Sequence, residues 1–192
     1  VALGNYQMAH GVLPPGTQND IGPILSLEGS GYHMGWLNQI LPYIDQANAY
    51  RKIDFAESVY DPANAPVRGH VISMLLCPSD PSPGGGRIAE TNYCGVHNDT
   101  ETSIDVDQNG VLFLNSSIRY EQVKDGTSNT VYVVESVRSN GGALGWMSGT
   151  RSTLRNLVVV GSGVGGGANP IGPRPAPGNR GLDQKLGDQF KY

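Results

Sequence analysis

The stretch TVYVVESV, residues 130–137, carries the strongest strand signal in the chain and decides its fold class. β-Branched and aromatic residues fill it, and alternation sets Val131, Val133, Glu135 and Val137 on one face against Tyr132, Val134 and Ser136 on the other. A carboxylate among valines predicts that Glu135 lies at a sheet edge or is paired, because an unpaired buried charge is costly. A buried catalytic carboxylate is the sharper reading, but no second carboxylate is spaced to join it. Working outward, TNYCGV (91–96), VLFL (111–114) and LRNLVVV (154–160) are further strand candidates. No long helical crossover lies between them, so the sheet is expected to be mainly antiparallel.

Helical spacing is confined to the first third. In VALGNYQMAHG, Leu3, Tyr6 and His10 fall on one face, Gly11 can take the left-handed conformation that closes a helix, and Pro14 and Pro15 forbid its continuation. These residues read as the last turns of a helix already under way. In WLNQILPYIDQANAY, Leu37, Ile40, Leu41, Ile44 and Ala47 form a stripe beside Trp36, which predicts a surface helix covering the sheet. Pro42 predicts a kink or two short helices, with Pro42 in the first turn of the second. Trp36, Tyr43 and Tyr50 would alternatively form an aromatic ligand face. The expected architecture is therefore α+β and loop-rich, with the end of an N-terminal helix packed on a mainly antiparallel sheet.

Composition bounds the rest. The 192 residues suffice for one core and are read as one domain, 1–192, while 27 glycines and 13 prolines put much of the backbone in turns. A charged fraction of 16%, a net charge of −4 and no Lys/Arg cluster argue against nucleic acid as a partner. No apolar run approaches the ~20 residues needed to span a bilayer. Residues 161–181 hold eight glycines and four prolines and predict an exposed arm available for subunit contact. They form no phosphate cradle, since no helix and no Lys-Ser/Thr pair follows.

Several residues are candidates for chemistry. Cys77 and Cys94, the chain's two cysteines, are separated by 16 residues rich in turn formers, which predicts a disulfide staple. Closing that loop would remove roughly 3 kcal/mol of unfolded-state entropy; two buried free thiols are the alternative. Asp105, Asp107 and Asn109 alternate oxygen donors before Gly110, as in the first half of a calcium loop. Ser116 stands where a bidentate Glu is needed, so a polar hairpin turn, with Asn109-Gly110 supplying the tight conformation, competes with calcium as the reading. Apart from that calcium, no cofactor is expected. His10, His33, His70 and His97 are scattered without a ligand pair and read as isolated polar or helix-end residues. Ser128 lacks a nucleophile elbow, and DGTSNT (125–130) reads as a turn whose Asp125, Thr127, Ser128 and Asn129 satisfy local amides.

Taken in order, NYQMAHGVLPPG, WLNQILPYIDQANAY, LLCPSDP, TNYCGV, NGVLF and VKDGTSNTVYVVE resemble the planctomycete family of prepilin-like proteins with an N-terminal methylation motif, over about residues 3–137. Such proteins carry a prepilin peptidase site and a long apolar helix, which would lie before Val1. Their C-terminal signature, a His followed after nine residues by Asp-Gly, is not matched by His97 or by any other histidine here. The resemblance implies a pseudopilin-like head on a truncated stalk, tethered at or exported beyond the cytoplasmic membrane.

That implies a structural protein of a cell-envelope filament or secretion-type pseudopilus and no enzyme. Its partners would be copies of itself through the helix preceding Val1, together with other envelope proteins, and its contact with membrane would run through that segment alone. On its own the head is expected to be mostly monomeric. A secreted module binding glycans or other polar ligands through exposed Tyr and Trp is the main rival. Burial of both tryptophans would favour the structural reading. An envelope hydrolase would require Glu135, an Asp and a His to converge in one cleft.

Overall fold

A computed structural model describes residues 1–80, 87–138 and 143–157, all within one compact unit, Val1–Val159. The expected arm at 161–181, the end of LRNLVVV and the reach of a single domain to residue 192 lie outside the described residues.

The chain opens with α1 (Ala2–His10), which ends where Gly11 takes φ 76° and returns its N–H to the Gln7 carbonyl at 2.7 Å. Tyr6 is its one buried residue; the ring stacks on His10 at 4.2 Å and meets Tyr43 edge-on at 5.8 Å. Two short strands follow, β1 (Thr17–Gln18) and β2 (Met34–Gly35), paired antiparallel. The Pro42 break falls as expected: α2 (Trp36–Ile40) gives way to a 3-10 turn at Leu41–Ile44 with Pro42 in its first turn, and α3 (Ala47–Tyr50) comes after it. The expected surface helix is instead largely internal, since Trp36, Leu37, Asn38 and Ile40 of α2 are all buried. Short turns Pro62–Asn64 and Ser73–Leu75 flank α4 (Ala65–Arg68).

The main sheet has three strands in the order β4-β3-β5: β3 (Tyr93–Asn98) at the centre, β4 (Val133–Glu135) antiparallel to it and β5 (Leu154–Asn156) parallel. The architecture is α+β, with an N-terminal helical element packed against a largely antiparallel, loop-rich sheet. The parallel pair needs no direct crossover helix because β4 lies between β3 and β5 in the chain.

VLFL does not become a strand. Its backbone is spent on several neighbours, with Leu112 N–H donating to the Val96 carbonyl and the Phe113 carbonyl accepting from Gly16 and Thr17, so only Leu114 forms a bridge, to Thr17. The side chains still do what their hydrophobicity dictates. Leu112 and Leu114 join Leu13, Met34, Leu37, Leu41, Ile104, Trp146, Met147 and Leu154 among the fully buried residues, each contributing roughly 1.5–3 kcal/mol through burial.

The Asn109-Gly110 turn differs from expectation as well. Gly110 does not adopt a positive φ; a glycine is needed because a Cβ there would sit 2.5 Å from the His97 carbonyl carbon, where the Gly110 N–H reaches the His97 oxygen at 3.0 Å.

Candidate functional site

The predicted staple is absent. Cys77 and Cys94 are free thiols, the first half-buried and the second buried. β3 turns the Cys94 Sγ toward the Ser152 carbonyl at 3.9 Å, and closure of the loop falls to Asn92, two residues before it. The Asn92 side chain is buried, and it fastens three segments at once. Its Oδ1 accepts from the Cys77 N–H at 2.9 Å, while its Nδ2 donates to Asp80 Oδ2 at 2.5 Å and to the Ser136 carbonyl at 3.1 Å. The backbone reinforces this, because Asn92 N–H donates to Leu75 O at 2.9 Å and Asn92 O accepts from Ser136 N–H at 2.7 Å.

Behind this clasp, Asp80 Oδ2 also receives Arg138 Nε at 3.0 Å, and both side chains are more than nine-tenths buried. A buried pair of this kind is held by its hydrogen bonds, and removal of one partner leaves an uncompensated charge. LLCPSDP, TNYCGV and the end of TVYVVESV therefore meet at one polar centre.

A cavity of about 180 Å³ adjoins it, lined among others by Cys94, Arg138, Arg151, Arg155, Ser152 and Glu90. Two of its arginines are paired with carboxylates: Arg138 with Asp80, and Arg151 with Glu101 at 2.9 Å on the surface. Arg155 donates to the Leu154 carbonyl at 3.0 Å. Burial pushes the Cys94 thiol up against the opposite pull of Arg155, so the sulfur is held as a thiol and is a poor nucleophile at neutral pH.

A second polar centre lies among β2, the 58–61 turn and the segment following Trp146. His33 Nδ1 meets the Tyr60 hydroxyl at 2.7 Å, that hydroxyl meets Ser148 Oγ at 2.8 Å, and Ser148 Oγ meets Thr150 Oγ1 at 3.1 Å. Burial pushes the Tyr60 hydroxyl up to about 12 and the His33 imidazole down. Arg68 lies over the Tyr60 ring at 5.6 Å and pairs with Glu28 at 2.9 Å. His33 occupies the left-handed region at φ 48°, a costly state for a residue with a Cβ that the surrounding bonds hold in place. The chain of groups is neutral, and each is tied to its neighbour.

The remaining candidates are dispersed. Asp105 Oδ1 accepts from Val106 N–H at 2.8 Å, and Asn109 Oδ1 accepts from Asp99 N–H at 3.1 Å; among the described residues no group of three or more His, Cys, Asp or Glu is placed to hold a metal ion. Glu135 is exposed on β4, an edge strand, as one of its two readings required. His33 and His97 are not the isolated polar residues expected, since both are buried and hydrogen-bonded, His97 Nδ1 to Gln108 Oε1 at 3.0 Å. Burial also lowers the His97 pKa, with Gln108 opposing. In the 125–130 turn the side chains serve carbonyls more than amides, Asn129 Nδ2 reaching Asp125 O and Thr130 Oγ1 reaching Gly126 O. Trp36, Tyr43 and Tyr50 form no shared open face: Trp36 is buried, Tyr43 packs on Tyr6, and Tyr50 packs on Phe55 at 5.1 Å.

A family model described as a protein of unknown function (DUF1559) matches residues 1–173. The chain belongs to the DUF1559 family. The match covers the whole stretch on which the prepilin-like resemblance rests and is consistent with it. No curated protein and no solved structure matches the chain. Within this DUF1559 chain no described helix is long and apolar enough to cross a membrane.

Of the residues that organise this DUF1559 chain, Asn92, Asp80, Arg138 and Tyr60 carry no signal in the sequence, and His33 reads there only as an isolated polar residue. Asn92 lies within TNYCGV, but an asparagine in a strand-like run has no local signature. A falsely attractive cysteine two positions away drew the role that Asn92 performs.

Proposed function

We propose that this DUF1559 chain is a non-enzymatic structural head, the globular part of a pseudopilin-like subunit in a cell-envelope filament or secretion-type pseudopilus. It stands outside the cytoplasm, tethered by a helix continuous with α1, and that helix mediates self-association. The observation that carries this reading is the way α1 is held. It docks by its Tyr6 face against Tyr43 and leaves Met8 83% exposed, an apolar side chain open to packing against a neighbouring helix.

The inward use of the large aromatics supports the same reading over a glycan-binding module. Trp36 and Trp146 are 2% and 0% exposed, and their indole N–H groups are consumed by the Thr153 and His70 carbonyls, each at 3.0 Å. The requirements of the hydrolase reading point elsewhere: Glu135 faces solvent on an edge strand, whereas His33 and His97 are buried in bonds to Tyr60 and Gln108.

Met8 is exposed on α1, so a Met8→Cys variant of the full-length protein, treated with a bifunctional thiol cross-linker in its native cells, probes packing of α1 between subunits. The reading predicts a ladder of oligomers in the envelope fraction. A monomer recovered from the cytoplasm would overturn it.

A further inference from the structure

We propose that the open edge of β4 is a docking surface for the same edge of a second copy, joining two heads through a two-fold antiparallel strand pair. Val96 N–H donates to Tyr132 O and Ser136 N–H donates to Asn92 O, and Cys94 lies opposite Val134. Backbone groups of residues 132, 134 and 136 therefore face β3, and alternation turns those of Val131, Val133, Glu135 and Val137 the other way. β4 has no neighbour but β3 among the described residues. The outward groups form a ladder without a strand partner among the described residues, with only the Val137 carbonyl engaged, by Ser136 Oγ at 3.4 Å.

Among the described residues this edge lacks the usual protection. Natural edge strands are blunted by Lys, Pro, bulges or a covering element. Residues 131–137 contain neither Lys nor Pro and only one charge, Glu135, while Val131 and Val137 are 45% and 77% exposed.

The pattern of the strand selects a second copy as its occupant. With the two-fold axis at Val134, each outward residue meets a partner whose number sums with its own to twice that of the axis. Val131 then faces Val137 of the other copy, and Val133 faces its Glu135. The two exposed valines cover one another across the junction, and Glu135 never faces itself, which avoids a direct like-charge pair. Shifting the axis to Val133 or Glu135 loses this match; at Glu135 it sets the two carboxylates opposite. The contact is isologous, and it extends two three-stranded sheets into one of six. So short a strand buries little surface, which makes the dimer weak in dilute solution and reinforces it wherever an assembly holds heads side by side. The pairing is read from the head alone and does not depend on the pseudopilin assignment.

Sedimentation of the 192-residue chain over a rising concentration series tests it. The expected result is a reversible monomer–dimer equilibrium. Val133→Pro removes an outward N–H without touching the β3 ladder, so the circular dichroism should be unchanged and the dimer lost. Val131→Lys with Val137→Lys sets lysines opposite one another twice per dimer and should weaken it about ten-fold, whereas Val131→Lys with Val137→Glu should restore it. A chain monomeric up to its solubility limit, which is also the outcome if the edge serves an unrelated extended peptide, would overturn the proposal. So would a dimer indifferent to both Val133→Pro and the double-lysine variant.

Discussion

The two buried polar centres do the same work by different electrostatics. The Asn92 clasp ties the 75–80 segment, β3 and the end of β4 through an amide backed by a buried charge pair, Asp80–Arg138. The His33 centre ties β2, the 58–61 turn and the 148–150 segment through neutral groups alone. A charged centre is anchored by what its removal would expose. A neutral one of imidazole and hydroxyl is anchored only while the imidazole stays neutral. A loop-rich chain with few cysteines is thus closed by side-chain amides and hydroxyls where a disulfide would otherwise serve.

Breaking the clasp should have the largest effect. Asn92→Ala removes three side-chain hydrogen bonds at a buried site, those with the Cys77 N–H, the Asp80 carboxylate and the Ser136 carbonyl. The expected loss is roughly 3–4 kcal/mol of folding stability in urea unfolding; a loss below about 1 kcal/mol would show that the backbone pairs alone hold the loop.

The neutral centre should respond less to substitution and more to acid. Tyr60→Phe leaves His33 Nδ1 and Ser148 Oγ without the hydroxyl that joins them, at a cost of about 1–3 kcal/mol. Burial lowers the His33 and His97 pKa values below the ordinary 6.5, so below about pH 6.5 the unfolded chain binds more protons than the folded one. This contribution is complete above that pH and is lost as pH falls through the folded values. Thermal unfolding across pH 5 to 7 should show the decline, and a flat profile would place water or a charge at His33 and His97.

Reductant should have the smallest effect, none at all. With Cys77 and Cys94 free, dithiothreitol leaves the melting temperature unchanged, and thiol counting under denaturing, non-reducing conditions returns both sulfurs. A drop in melting temperature on reduction would restore the staple and demote Asn92.

Local chemistry was legible wherever the backbone alone decides. The left-handed Gly11 ends α1, Pro42 splits the helical stretch, and TNYCGV supplies β3, because each depends on residues within a turn or a strand of one another. Strand extents were overestimated for the opposite reason. TVYVVESV contributes only Val133–Glu135 to the sheet, and VLFL gives its backbone to several partners, since pairing requires a neighbour that no single segment specifies. The polar centres were illegible because their members are joined across long intervals, 27 residues from His33 to Tyr60 and 58 from Asp80 to Arg138. Nothing in the spacing of either pair distinguishes it from two solvated side chains.

Electron microscopy of filaments sheared from native cells and labelled with antibody to residues 1–157 tests the proposal that this chain is the head of an assembled envelope structure. Label is expected at regular intervals along the filaments, with none on cells lacking the gene. Unlabelled filaments, with the protein recovered only as free monomers, would contradict it.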